Sequence, residues 1–589
     1  MTLEVLRGAD AHRAIEDPRF RANWKSLHRV CPWSTVFQDP SFASTWYRVY
    51  RDVYEPIIAV GFDGGGAMNG LFLLARNRKS GALVHVGVEH AEYQTWIARA
   101  DRFGFISDAL DALKPIAAGA TLQLRYVPST VPLEPLASSS DWGWRTVSWL
   151  EGRGIADLTT ADGIASRVEL NRYRYRMRRL AALGPVNFRT ISGRSELEPW
   201  LDRIIAFCDV RQGAVNASFP FHDDSLYREL QLSMMEVPEL LHATLLTAGS
   251  ILVSAHLNFV DRRTISLGLI SHSPMHGKIS PGTLHLLLLA RYAANSGFDA
   301  IDLTPAGDYK NRFASVSDPT RVVSIQFSAT QAARAQVRHF AAEKAKTHIR
   351  EIGLEPAQVK RQWVKRIARI RRSIAGWRLA PAGVRNAAFA GDILILRFPG
   401  VVENSAKSNS TRASSSGLRI DQVGDLLLPR PSGVPVHERR TELRAALARF
   451  ERGATMITRV VDGMVTDAAW VVNGPGRAHI GHAFADVELS ESSILIHAID
   501  GSECFVEDVL RLVCVEDPKL ELLAAVHATD VAMVQHLSKT GAEIVARISP
   551  RTGRTKDRRI GGARPGRLTT GVASQMVGAS RGTHGTAWH

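Results

Sequence analysis

The sequence predicts an α+β fold built on mixed α/β sheets, and three features carry that prediction. Strand-like apolar runs separated by turn signals fill the first 150 residues. Between residues 241 and 303, three such runs precede a helix that is apolar on nearly every face, and one more strand follows it. A second hairpin-bearing region lies beyond a serine-rich stretch. At 589 residues the chain exceeds a single core, so roughly three or four structural units are expected.

Residues 1–150 read as a first half. From Trp24 to about Val147, the runs PIIAVGF, GLFLLARN and SGALVHVGV, with GGG at Gly64–Gly66 as a turn, predict a small mixed sheet. FQDPSF predicts a helix start with Asp39 as cap, Pro40 at the first position, and Phe42 and Trp46 on the buried face. Residues 151–330 read as the core. They hold a polar helix start after Trp149, then the basic helix NRYRYRMRRLAALG with Gly184 at its stop, then helix over 195–240 interrupted by the loop GAVNASFPFHD. The strands HATLLTAG, ILVSAHLNF and TISLGLI follow, with turns at Gly249 and Asp261–Arg263. SHSPMHGKISPG is a loop, TLHLLLLARYAANSG a buried helix and AIDL a strand. Residues 331–378 are read as basic amphipathic helices, 379–433 as a Ser-rich linker, 434–548 as a second compact region with a hairpin at Asp462–Gly463, and 549–589 as a Gly-rich, basic, disordered tail.

Composition narrows the function classes. Hydrophobic residues make up 45% and charged residues 22%, the balance of a folded, water-soluble chain. The net charge of +15 concentrates in two late segments. Cys31, Cys208, Cys504 and Cys514 are far apart and show no ligand spacing, which argues against a disulfide framework and a zinc site. MTLEVLRGADAHRAIED lacks the apolar stretch of a signal peptide, and no apolar run approaches the length needed to span a bilayer. A cytoplasmic protein is expected, with any membrane contact peripheral.

The helix after SPG begins with Pro281 where its missing amide hydrogen costs nothing, and Gly282 removes a side chain from the approach. Such a helix start offers amide donors and a positive dipole end to an anion such as a pyrophosphate. Ser280 as an ordinary cap is the competing reading. Antiparallel strands, a phosphate-type loop, a buried helix and a further strand form the layout of GNAT acyltransferases. With WSTVFQDPSFASTWYRVY (33–50), HAEYQTW (90–96), NRYRYRMRRLAALGPVNF (171–188), SPGTLHLLLL (280–289) and DLTPAGDYKNRFA (302–314), residues 20–330 resemble the CelD/BcsL-type branch of the GNAT superfamily. That branch is associated with cellulose and other exopolysaccharide production and is related in fold to the FemAB transferases. The resemblance implies a tandem GNAT-like acyl-CoA N-acyltransferase fold, with 434–548 a smaller, degenerate GNAT-like copy lacking a phosphate loop at Glu503–Val513. The phosphate loop departs from the usual pattern, since only Gly277 and Gly282 surround Lys278, Ser280 and Thr283.

The resemblance further implies acetyl-CoA or another acyl-CoA as co-substrate, held at Lys278, Ser280, Gly282 and Thr283, and no metal. In such a fold the end of the last strand borders the cleft where acyl group and acceptor meet. Tyr309 would protonate the departing thiolate, Asp308 would orient or deprotonate the attacking group, Lys310 would join them, and Lys310 or Arg312 would hold an anionic acceptor or phosphate. A structural corner, with Tyr309 packed and Lys310 paired to Asp308, is the other reading. Glu92 and Tyr93 would touch the acceptor; a strand-capping turn with an aromatic plug competes with that.

In NRYRYRMRRL, helical spacing puts Arg172, Arg176 and Arg179 on one face and Tyr173, Met177 and Leu180 on another. A solvated basic face explains this, and so does a face for tRNA or an anionic lipid-linked acceptor. Over 359–378, Val359, Trp363, Ile367, Ile370 and Ile374 line one side of an otherwise basic helix, which fits peripheral membrane contact or packing on the core. The expected activity is acyl transfer from acyl-CoA to an amine or hydroxyl of a small-molecule or glycan-precursor acceptor. The alternatives are an inactive accessory protein of a membrane polysaccharide synthase and an aminoacyl-tRNA-dependent, FemAB-like transferase. No nucleic acid other than tRNA in that last case is expected as a partner.

Overall fold

Apolar runs become strands where turn chemistry lets them return on themselves. The computed structural model describes residues 2–160, 163–305, 310–351, 393–398, 417–474, 476–480, 485–489, 493–514, 521–527, 530–548 and 559–560. The chain divides into two compact units. One is built on Met1–Ala390, Ser410–Trp470 and Ile499–Val509, the other on Gly391–Asn409, Val471–Ala498 and Leu510–His589.

In the first unit, β1 (Thr2–Arg7), β2 (Tyr54–Phe62), β3 (Met68–Asn77) and β4 (Leu83–His85) lie in that order, with β5 (Ile97–Ala98) also on β3. All these pairs are antiparallel, which corrects the expected mixed sheet. The reason is local: tight turns return a strand antiparallel, whereas a parallel pair needs a crossover. Asp39 accepts the amide of Ser41 at 2.8 Å, Pro40 starts the helix Pro40–Val49, and Phe42 and Trp46 are fully buried, as FQDPSF predicts.

The core sheet has seven strands: β8 (Gly154–Asp157), β9 (Val186–Ile191), β10 (Leu241–Ala248), β11 (Ile251–Asp261), β12 (Thr264–His272), β13 (Ala300–Asp302) and β14 (Val316–Ser317). Their order is β14-β8-β13-β12-β11-β10-β9. Here the sheet is mixed, because β12 and β13 run parallel. Their crossover is the helix Pro281–Asn295, whose Leu284, Leu287, Leu289, Ala290 and Ala293 are fully buried. Gly297 ends that crossover at φ +82°, and Phe298 donates to the Ala293 carbonyl at 3.0 Å, the closure that a left-handed glycine permits.

Two predicted features fall differently. After Trp149 there is no helix start: β7 (Thr146–Glu151) and β8 occupy that stretch, each claimed by a long-range partner. A third antiparallel sheet places β15 (Thr320–Gln326) between β6 (Thr121–Val127) and β7, so the chain leaving the core returns into the first half. The long helix Arg194–Asn216 also runs through the expected loop GAVN and stops only at Ala217, φ +56°.

Beyond the core, the helix Arg440–Glu451 packs on that long helix, with Arg444 Nε donating to the Ala214 carbonyl at 2.6 Å. The hairpin is present, Asp462 and Gly463 both having positive φ as a two-residue turn of this kind requires. In the second unit, Ser493–Asp500 pairs parallel with Glu521–His527, which pairs antiparallel with Ile393–Phe398. The segment at Glu503 is a helix, Glu503–Cys514. The basic amphipathic segment 359–378, most of the linker 379–433 and nearly all of 549–589 lie outside the described residues. Among the described residues no helix is long and apolar enough to cross a membrane.

The first sheet depends on close approach at Gly70, where a Cβ would meet Phe105 ring carbons at 2.2 Å. Phe105 is fully buried and cannot swing away. Gly70→Ala is expected to cost about 1–3 kcal/mol by overpacking, read as a lowered midpoint in urea unfolding with the slope unchanged.

Candidate active site

The segments singled out in the sequence meet at the end of β13. WSTVFQD holds HAEYQTW in place: Trp33 Nε1 donates to the Trp96 carbonyl at 2.9 Å, and Gln38 Nε2 to the Tyr93 carbonyl at 2.9 Å. Gln94 fixes the same loop to β6, its amide donating to the Arg125 carbonyl at 3.1 Å and its Oε1 accepting the Arg125 amide at 3.0 Å. Phe37 packs edge-on against Tyr93 and Phe259. Tyr93 and Glu92 are thereby presented to the core sheet.

Asp302, 1% exposed at the end of β13, collects the contacts. One of its carboxylate oxygens accepts the Tyr93 hydroxyl at 2.6 Å and Arg153 Nη2 at 2.8 Å; the other accepts the Thr304 amide at 2.9 Å. Arg153 also reaches Asp318 at 2.9 Å and lies over the Tyr93 ring at 4.7 Å. Thr304, held at φ +58°, presents its hydroxyl to Lys310 Nζ at 3.0 Å. Glu92 shares this field. Burial pushes its carboxyl up to about 7, with Lys310 and Arg125 opposing that shift and Asp302 adding to it. Burial likewise lowers Lys310, against the pull of Glu92 and Asp302.

The neighbouring strands open at this point. β12 and β13 pair only through Thr264–Ser266 and Ala300–Asp302, after which β12 continues to His272 beside β11 alone. A register shift between Leu257 and Phe259 gives β12 an extra residue there. On the helix-facing side of β11, His256 is fully buried and stacks on His285 at 4.0 Å, and Thr244 Oγ1 lies 2.8 Å from His285 Nε2. Burial holds His256 down at about 3, so the pair is uncharged.

Tyr93 and Lys310 are therefore joined through Asp302 and Thr304, with Glu92 in their electrostatic field. Tyr93 commits its hydroxyl to Asp302 and acts through that carboxylate. Arg312 lies elsewhere, at the start of the buried helix, donating to Thr283 Oγ1 at 3.1 Å while its carbonyl accepts Arg167 at 2.7 Å. Ser280 is left-handed at φ +56° and caps nothing with its side chain, and Lys278 is exposed on the preceding turn. The amide cradle expected from Ser280 onward is largely spent within the chain. The Ser280 amide donates to Gly277, those of Thr283 and Leu284 donate to Ser280, and Pro281 has none. Gly282 makes room for His272, whose ring lies 3.2 Å from where a Cβ would stand, and Gly277 lies against Glu451. Asp308 and Tyr309 are outside the described residues. Arg153, Asp302 and Thr304 escaped sequence reasoning, although an acid inside the buried run AIDL must have a partner and was a usable signal.

Residues 168–313 match the acetyltransferase (GNAT) domain family model. The fold is GNAT-like. No curated protein matches the chain. Among solved structures, the C-terminal domain of a putative lysylphosphatidylglycerol synthetase from Agrobacterium fabrum is 13% identical, with 55% of this chain and 94% of that one covered and a TM-score of 0.36. FemX is 10% identical over 51% and 95%, TM-score 0.37. A GCN5-related N-acetyltransferase from Sphaerobacter thermophilus is 11% identical over 55% and 96%, TM-score 0.28. The GNAT-like assignment rests on the family match and the strand order.

Removing the charge of Asp302 breaks a buried ion pair and leaves the half-buried Arg153 guanidinium with Asp318 as its remaining acid. Asp302→Asn is expected to destabilise the fold by on the order of 3 kcal/mol, whereas Tyr93→Phe, which deletes one of several donors, is expected to cost about 1 kcal/mol. Equilibrium unfolding of the two variants side by side checks the ranking.

Proposed function

We propose that the protein is an acyl-CoA-dependent acyltransferase that delivers an acyl group to an amine or hydroxyl acceptor. The acceptor proposed is a precursor of cellulose or a related exopolysaccharide, in keeping with the CelD/BcsL-type resemblance. The observation that carries the reading is Glu92, a carboxyl raised to about 7 by burial and within the electrostatic reach of Lys310 and of Asp302 at the end of β13. A base poised near neutrality accepts a proton from an attacking amine or hydroxyl without being permanently ionised.

In the proposed step the acceptor's lone pair attacks the thioester carbonyl while Glu92 takes the acceptor's proton. The new C–N or C–O bond forms, the C–S bond breaks, and the thiolate leaves. Lys310 stands to offset negative charge on the carbonyl oxygen. Tyr309 is assigned protonation of the thiolate and Asp308 orientation of the acceptor, both by their place in DYKNRF. Tyr93 and Asp302 position the site.

Thiol release from acetyl-CoA in the presence of amino-sugar and hydroxyl acceptors tests the reading. Glu92→Gln is expected to lower kcat/KM by about 10²–10⁴-fold and to remove the limb of the pH profile near 7. Unchanged turnover in Glu92→Gln and Lys310→Ala would reject the site.

Glu92 also makes a pH-dependent stability prediction. Its folded value lies above its ordinary 4.5, so the folded chain holds the proton more tightly and stability falls as pH rises from about 4.5 to about 7. Glu92→Gln removes that penalty. The variant is expected to gain thermal stability relative to the native chain at pH 8 and to show no such gain at pH 4.

A further inference from the structure

Between the basic helix Asn171–Ala181 and the buried helix Pro281–Asn295 lies a groove of about 600 Å³. Met177 and Leu288, both half-buried, supply apolar surface, and the exposed Arg174, Arg178 and Arg291 supply charge. The one acid there, Glu169, lies 3.0 Å from Arg174 and 2.9 Å from Arg291. Arg178 makes no ion pair among the described residues, so three guanidiniums face one carboxylate. The basic helix carries five arginines and no acid, and its first residue has no side-chain cap. Repulsion on that scale is not a device for stability, since like charges at helical spacing oppose the helix.

The groove continues a line of cation sites along the buried helix. Arg312 holds Thr283 at its start, and Arg291 lies eight residues, about 12 Å, further along the axis. Because the amides at Ser280, Thr283 and Leu284 are already bonded, an anionic donor here depends on arginine side chains for its charges. A volume of about 600 Å³ is enough for one nucleotide-sized ligand.

We propose that this groove takes the nucleotide end of an acyl-CoA, the adenosine lying on Met177 and Leu288 and the 3′-phosphate between Arg178 and Arg291, with Glu169 giving up its partners. Guanidiniums suit phosphate because their paired donors match its oxygens. The inference rests on the acyl-CoA reading and deepens it by naming what holds the donor's far end.

Adenosine 3′,5′-bisphosphate serves as a probe independent of any chemistry. Calorimetry is expected to detect its binding to the native chain and a loss of about tenfold or more in Arg178→Ala, whose exposed side chain leaves thermal unfolding unchanged. In turnover, Arg178→Ala is expected to raise KM for acetyl-CoA while leaving KM for S-acetylpantetheine, which lacks the nucleotide, unaltered. Probe binding that depends on Arg178 without turnover of either thioester would uphold the groove and remove the proposed activity. Turnover of both thioesters with equal KM in native and variant chains would do the reverse. Failure of the probe to bind overturns the groove assignment, as does retention on anionic phosphatidylglycerol vesicles or on RNA that depends on Arg178 when probe binding does not.

Discussion

The site depends on one buried carboxylate. Asp302 ends a three-residue strand deep in the core, where an unpaired charge would cost several kcal/mol. Two of its partners come from distant parts of the chain, Tyr93 from the first half and Arg153 from the turn before β8, and the third, Thr304, lies just beyond β13. Satisfying that charge holds the HAEYQTW loop against the core sheet, and this puts Glu92 within the electrostatic reach of Lys310. Electrostatic need at one atom thus sets the geometry of residues that do not touch it.

A second constraint is topological. β12 and β13 are parallel and joined by a buried crossover, so they can share only as many residues as the short β13 provides. Among the described residues the paired register of the two strands ends at Asp302, and the backbone turns away through Thr304 in a left-handed conformation that a β-branched residue rarely adopts. Strain of that kind persists where surroundings fix it, here through the Thr304 amide on Asp302 and its hydroxyl on Lys310.

Much of this was legible in residue order. The three strands, the all-round apolar helix, the Asp39 cap and the Asp462–Gly463 turn each follow from local periodicity and turn chemistry, and each is where the sequence puts it. Long-range pairing was not legible. β7 and β8 look polar enough to start a helix, yet β15 and β13 recruit them as strands, and no local signal announces a partner some 150 residues away. The same limit hid Arg153. At the site, the residue types of HAEYQTW and DYKNRF flagged Glu92, Tyr93 and Lys310, but only the fold separates Tyr93, spent on Asp302, from Glu92, whose proton is exchangeable near neutral pH.

The histidine layer completes the electrostatic picture. His256 and His285 stack face to face at 4.0 Å, and two imidazolium rings at that distance in a dry core would repel strongly. Burial keeps both neutral, and Lys310 adds to the cost of charging His256. This stacked pair therefore contributes no charge near neutral pH. Among the described residues at the end of β13, Glu92 is a group that burial raises to about 7, against Lys310 and Arg125. Burial sets its value near 7, Lys310 and Arg125 hold it down and Asp302 adds to it, so the Tyr93, Arg153 and Thr304 contacts that fix Asp302 also fix one charge in that balance.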